Sequence, residues 1–296
     1  MHVCFYILSY LLCYPLTYRS SDFRPCFSRI HELRALVQTN IPLMALTATV
    51  TSKMRKDIIQ MLDMSGCHMV SASPNRANIF YEVRRRTTVE DDVADIVDDL
   101  QNNSVHANRV IIYCRSLNMC AHLYAHFLHS LGTSSYYPPG SPEISDHRIF
   151  GMYHSNTTEH NKKIIMESLS KEDGIVRAVF ATLALGMGVD FFGLNRIIHY
   201  GAPRTIDDYF QESGRAGRTG ALSISTVFWS PPDAPLRKDT SDPHVAEAVA
   251  VSNYLENEQQ CRRFQLLSYF DYSLASNLTQ YDPTTCCDVC KQNSQS

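Results

Sequence analysis

The sequence predicts an α/β protein built on a doubly wound, mostly parallel sheet. Two observations carry that expectation. Short apolar runs such as V-I-I-Y at 110–113 and V-R-A-V-F-A at 176–181 alternate with longer stretches whose apolar residues recur at helical spacing. Strands that alternate with helices pair in parallel, because each helix carries the chain back across the sheet. The second observation is where the chemistry-bearing residues fall. Thr47 to Thr49, Cys114 to Ser116, His154, Thr182 and Tyr200 to Pro203 all stand at an expected strand end, the edge where such sheets bind ligands.

Composition bounds the possibilities. Hydrophobic residues make up 44% and charged residues 19% of 296, enough apolar material for a sizeable core and one to three domains. The formal net charge of -3 gives no global basic excess, so any surface for a polyanion has to be local. The 10 cysteines are scattered apart from a terminal group, which in a chain this long predicts reduced, intracellular thiols over a disulfide scaffold. Residues 1–18 hold an apolar run too short to cross a bilayer, and it lacks the basic start and small-residue cleavage site of a leader. It reads as a buried strand or as a start foreign to the fold, and no membrane partner is expected.

The remaining elements follow in order. Pro25 precedes a short helix marked by Phe27, Ile30, Leu33 and Leu36, and P-L-M-A-L-T-A-T-V at 42–50 suits a buried parallel strand. Thr51 is placed to cap a helix over 53–62 with Met54, Ile58, Ile59 and Leu62 on one stripe. I-F-Y-E-V at 79–83 alternates like a strand, and the Arg84 to Arg86 run beyond it reads as a solvated edge rather than a phosphate site. Helices are expected around 93–100, 117–131 and 159–169, with short strands ending at His154 and at Tyr200. The stretch 133–143 is a loop by composition and looks like an insertion.

One stretch organises the chemistry: A-P-R-T-I-D-D-Y-F-Q-E-S-G-R-A-G-R-T-G, from Ala202 to Gly220. Arg215 and Arg218 lie three apart among small residues, after Gln211 and Gly214. On a helix that spacing would put both guanidiniums on one bare face, where a planar fork can reach a phosphate. Such a pair could act as an arginine finger, and the competing reading is a solvated basic helix end. A-T-L-A-L-G-M-G-V-D at 181–190 follows directly on a strand. Its Gly186 and Gly188 permit close backbone approach to a phosphate or nucleic-acid strand, Thr182 can donate a hydroxyl, and Asp190 could accept from a ribose.

Taken together, these stretches resemble the C-terminal part of a RecQ-family DNA helicase of superfamily 2. The similarity runs in family order through D-F-R-P from Asp22, A-L-T-A-T-V-T from Ala45, S-P-N-R-A-N-I-F-Y-E-V from Ser73, I-I-Y-C-R-S from Ile111 and Y-H-S from Tyr153. It continues through the glycine stretch at 181–190 and Q-E-S-G-R-A-G-R-T-G to C-R-R-F-Q-L-L-S-Y-F-D from Cys261 and the terminal C-C-D-V-C. An RNA helicase shares the core motifs, but the C-R-R and cysteine signature separates the two. The resemblance implies a RecA-like doubly wound parallel sheet with a small helical zinc-binding region at the C-terminus. It divides the chain into a remnant of a first RecA-like domain over 1–72, a second RecA-like domain over 73–232 and a zinc-binding region over 233–296.

By the same resemblance, Arg215 and Arg218 contact nucleotide phosphates, Gln211 positions them, and Gly188, Asp190 and Gly214 line the nucleotide. Thr47 and Thr49 couple that site to DNA, while Arg115, Ser116, His154, Thr182 and Gly186 follow a single strand. Cys261, Cys286, Cys287 and Cys290 are the implied zinc ligands. C-x2-C spacing suits tetrahedral zinc, but Cys286 abuts Cys287, so strain is expected at that fourth position. Neither G-x-x-x-x-G-K-[ST] nor D-E-x-H occurs in these residues, so the expected ATP and Mg2+ site is incomplete here. The expected function is 3'-5' DNA unwinding in repair, recombination or replication in the nucleus. The partners are single-stranded and forked DNA and a complementing helicase N-terminal domain. The alternative is a non-catalytic DNA-binding or regulatory protein of the same descent.

Overall fold

The computed structural model describes residues 32, 44–47, 51–70, 73–182, 185, 190–233, 243–270 and 282–295. It divides into two units, one taking in the described residues of 1–75 and 267–277, the other those of 76–266 and 278–296. In the first, α1 (Ser52–Met61) is capped by Thr51, whose hydroxyl accepts from the Met54 amide at 3.3 Å. The strand expected over 42–50 is not seen where it is described. Residues 44–47 are irregular, with Met44 57% and Leu46 49% exposed. No sheet strand among the described residues precedes residue 79. The expectations for residues 1–18 and for the helix after Pro25 fall outside the described residues, Glu32 apart.

The second unit is a six-stranded, all-parallel sheet in the order β1-β6-β5-β2-β4-β3. Its strands are β1 (Ile79–Arg85), β2 (Arg109–Cys114), β3 (Phe150–Tyr153), β4 (Ala178–Ala181), β5 (Leu194–Tyr200) and β6 (Ser223–Trp229). Helices α2 (Val89–Asp92), α3 (Ala94–Asn103), α4 (Leu117–Leu131), α5 (Glu159–Leu169) and α6 (Ile206–Ser213) link them. Period-two alternation decides which residue faces which layer. Val110, Ile112 and Cys114 of β2 join Ile96, Leu100, Leu123 and Phe127 of α3 and α4 on one face. Ile111 and Tyr113 point the other way, toward Ile165 and Leu169 of α5. On the first face Phe127 meets Phe180 edge-on at 4.8 Å, a geometry that aromatic quadrupoles favour.

After the sheet come α7 (Pro243–Glu256), α8 (Arg262–Tyr269), α9 (Pro283–Cys286) and α10 (Asp288–Asn293). Tyr254 of α7 packs on Tyr209 of α6, ring centroids 5.2 Å apart and hydroxyls 3.1 Å apart. Two elements depart from expectation. The short helix α2 had no sequence reading; it precedes Val93, the N-cap from which α3 runs as the helix expected around 93–100. The strand β6 had no sequence reading, because Ser223, Ser225 and Thr226 are polar yet buried. Ser225 is satisfied by Ser213 at 2.7 Å and Tyr209 at 3.3 Å.

One charged residue is structural. Arg109, at the start of β2, is only 2% exposed. Its guanidinium donates to the carbonyls of Leu169, Lys171, Glu172, Gly174 and Phe192 at 2.6 to 3.2 Å. All but Phe192, which precedes β5, lie at and beyond the C-terminal end of α5, where orphan carbonyls and the helix dipole favour a cation. Burial lowers its pKa to about 10, with Arg177 adding to the shift, still far above neutrality. Arg109→Met should therefore destabilise the chain by about 2–4 kcal/mol in urea unfolding, since it strips buried acceptors of their donor. An unchanged unfolding midpoint would show those carbonyls to be satisfied without it.

Candidate functional site

The arginine-bearing stretch is not helical where the arginines stand. Helix α6 starts at the Thr205 cap, whose side chain accepts from the Asp208 amide at 3.0 Å, and ends at Ser213 with Gly214 as its C-cap. Arg215 and Arg218 occupy the following turns, held by Arg215 N to Glu212 O and Ala216 N to Ser213 O, both 3.2 Å. The expectation of one helical face is corrected, and the cause is local. Gly217 has φ +62, and a Cβ there would meet Asn78 Nδ2 at 2.4 Å and Ser223 Oγ at 2.5 Å. The chain must leave the helix to fit that space.

The two guanidiniums consequently sit in different surroundings. Arg218 Nη1 binds Asp190 Oδ1 at 3.0 Å, with side chains 42% and 74% exposed. An ion pair in that much water is weak and readily exchanged. Arg215 is half-buried beside the Tyr113 phenol. Burial first, then the Glu212 carboxylate, pushes that phenol well above its usual range, and the Arg215 charge opposes them. Glu212 in turn binds His199 Nε2 at 2.7 Å in the interior, and the His199 ring stacks on Tyr113 at 5.2 Å. Gln211 is half-buried on the last turn of α6.

Five side-chain hydrogen bonds from Arg76 and Asn78 fix the turn, and neither residue stood out in the sequence. Arg76 donates to the carbonyls of Gly214 at 3.1 Å, Ala216 at 3.2 Å and Gly217 at 2.6 Å. Asn78 Nδ2 donates to Gly217 O at 2.8 Å and Ala221 O at 2.7 Å. Gly217 N reaches Leu194 O, the first residue of β5, at 2.8 Å. The turn therefore lies at the amino ends of β1, β5 and β6. Within S-P-N-R-A-N the only available signal was an arginine and an asparagine just before a strand, and that does not name their targets.

The opposite end of the sheet carries a separate row. Tyr200, Cys114, Thr182 and His154 close or directly follow the adjacent strands β5, β2, β4 and β3. Arg115 is exposed and donates to Asp233 O at 2.5 Å, while Gly201, at φ +105, leaves room for its side chain. Ser116 caps α4, accepting from Met119 N at 3.2 Å. The His154 ring accepts from Asn156 N at 3.2 Å, and burial, then Lys162, lowers its pKa. Beside it opens a cleft of about 210 Å³ between β3 and α5. Thr47 is exposed in the other unit. Thr49, Gly186 and Gly188 lie outside the described residues.

The cysteines converge. Cys261, Cys286, Cys287 and Cys290 place their sulfurs within 4.8 Å of one another, with Cys261 at 3.6 Å from Cys286 and 3.9 Å from Cys287. Four thiolates about 2.3 Å from one zinc ion stand about 3.8 Å apart, so the set fits. Adjacency is no obstacle, because Cys286 ends α9 while Cys287 is the extended N-cap of α10, with φ -163 and ψ 169. The chain bends between two helical turns and both sulfurs reach the centre. Hydrogen bonds from Cys261 and Cys286 hold the Cys287 thiol far down, and its partners drive Cys286 far up. So close a set can ionise throughout only around a cation. No helix among the described residues is long and apolar enough to cross a membrane.

Known proteins match this arrangement. The family model for the helicase conserved C-terminal domain matches residues 91–220, and that for RecQ zinc-binding matches 234–291, taking in all four cysteines. The RecQ-like DNA helicase BLM of Xenopus laevis is 32% identical over 91% of this chain and 19% of its own length. The ATP-dependent DNA helicase hus2/rqh1 of Schizosaccharomyces pombe is 30% identical over 91% of this chain and 19% of its own. The chain thus spans about a fifth of the length of these relatives. Among solved structures, the Mycobacterium smegmatis helicase Lhr bound to ssDNA and AMP-PNP is similar in fold, with TM-score 0.51 and 17% identity over 82% of this chain and 33% of that one. With the two models in tandem and the cysteine site in place, the chain belongs to the RecQ family of superfamily 2 helicases and carries the C-terminal portion of its core.

Proposed function

We propose that the chain supplies the second RecA-like domain and the zinc-binding region of an ATP-dependent motor that unwinds DNA from 3' to 5'. The observation that carries this reading is the arginine turn, in which Arg218 is held by an exposed carboxylate that a phosphate can replace. Residues 1–72 are assigned to the tail of a first RecA-like domain, 73–232 to the second, and 233–296 to the zinc-binding region. Arg215 and Arg218 offset charge on the terminal phosphates of Mg-ATP held by a first domain. Gln211 supports them, Gly214 frees the turn from the helix, and Gly188 and Asp190 line the nucleotide. Asp190 accepts Arg218 until the phosphate arrives.

The row at the carboxyl ends of the strands is the nucleic-acid face, with Arg115, Ser116, His154, Thr182 and Gly186 along a single strand. Thr47 and Thr49 act in the first domain. Nucleotide and DNA would then engage opposite ends of one rigid sheet, so domain closure on ATP moves the bound strand. The substrates are single-stranded and forked DNA, the partner is a helicase N-terminal domain bearing the phosphate loop, and the setting is DNA repair and recombination in the nucleus.

Two measurements test this. Single-strand-stimulated ATP hydrolysis by the chain mixed with such an N-terminal domain should fall about 10³-fold or more in Arg215→Ala and in Arg218→Ala. Hydrolysis indifferent to both, with DNA binding retained, would favour the non-catalytic DNA-binding reading. Arg115→Ala should weaken single-strand binding and lower the slope of log K against log salt by about 0.7, the share of one phosphate contact. An unchanged slope would remove Arg115 from the path.

A further inference from the structure

The grip on the arginine turn has a second stage that reaches the cysteines. Arg263 is 1% exposed and stands two residues after Cys261, on the first turn of α8. Its guanidinium donates to Arg76 O at 2.7 Å and Ile79 O at 2.6 Å. It also reaches Ala77 O at 3.4 Å and Cys286 O at 3.5 Å. The backbone of 76–79 is thus held from the cysteine side, and the Arg76 side chain, projecting from that backbone, holds the carbonyls of Gly214, Ala216 and Gly217.

The far side of the cluster grips the same strand. Asp288, between Cys287 and Cys290, accepts from Val83 N at 2.9 Å and from Arg262 Nε at 2.6 Å. Tyr81 also bridges to Cys287 in parallel fashion, so the cysteine segment covers the free edge of β1. The cysteine region therefore holds β1 at its start and along its middle.

We infer that Arg76 is a positioning residue for the arginine turn, and that Arg263 makes its placement depend on the assembled cysteine site. A guanidinium suits this task because its fixed fork can hold several carbonyls at once, which an ammonium on a flexible stem cannot. The metal site then sets the geometry of Arg215 and Arg218 without touching the nucleotide. The functional weight of this coupling rests on the finger reading above, but the coupling itself can be measured separately.

Hydrogen–deuterium exchange on the whole chain reads it. In Arg76→Gln, and in the wild-type chain stripped by a zinc chelator, the amides of 215–220 should exchange about tenfold faster, the loss of roughly one hydrogen bond's worth of protection. The amides of α4, remote from both, should keep their rates and report that the sheet remains folded. Arg76→Lys, which keeps the charge but not the fork, should resemble Arg76→Gln. Arg263→Lys should loosen 215–220 in zinc-loaded protein. Unaltered exchange at 215–220 in the Arg76 variants, or after metal removal with α4 intact, overturns the inference. If exchange responds while ATP hydrolysis with an N-terminal domain ignores Arg215 and Arg218, the coupling stands and the finger reading fails.

Discussion

Guanidinium groups bound to main-chain carbonyls hold this molecule together where regular hydrogen bonding stops. A helix that ends inside a packed domain leaves its last carbonyls without partners, and burying them unpaired is costly. Arg109 collects those beyond α5, Arg76 those beyond α6, and Arg263 those ahead of β1. Each replaces a flexible loop with a fixed one. The consequence for the arginine turn is specific: Arg215 and Arg218 project from a backbone whose conformation is imposed by residues far away in sequence.

That arrangement separates two surfaces of one sheet. The arginine turn stands at the amino ends of β1, β5 and β6, while Arg115, Thr182 and His154 stand at the carboxyl ends of β2, β4 and β3. Between them run packed strands and the buried His199–Glu212 pair, with Tyr113 stacked on the histidine and Arg215 beside the phenol. Interiors this dense shift as units rather than deform locally. A domain built this way moves as one body, which is what the proposed coupling of nucleotide to DNA requires.

Much of the fold was legible in the chain itself. Helices 117–131 and 159–169 were bounded correctly because their apolar stripes are regular and a threonine or serine caps each start. The strand runs of β1, β2 and β4 were legible because they are apolar and short. β6 was not, since its Ser225 and Thr226 are buried by pairing with side chains from α6 and β1, which no local pattern shows. The i, i+3 spacing of Arg215 and Arg218 favours a helix, and Gly214 and Gly217 override it. Strain at adjacent cysteines was expected from spacing alone. The break between α9 and α10 at Cys286 and Cys287 removes it. Arg76, Asn78 and Arg263 stayed hidden for a single reason: the carbonyls they hold on the turn and at the start of β1 are more than a hundred residues away.

The central claim is that the arginine turn faces a phosphate bound by another domain. A crystal structure of this chain assembled with a phosphate-loop-bearing N-terminal domain, ADP and a fluoride mimic of the transferring phosphoryl group tests it most directly. The account predicts both guanidiniums within about 3 Å of the fluoride group, with Arg218 released from Asp190 and the carbonyls of Gly214, Ala216 and Gly217 still on Arg76. An Arg218 that remains paired with Asp190 and turned from the nucleotide would contradict it.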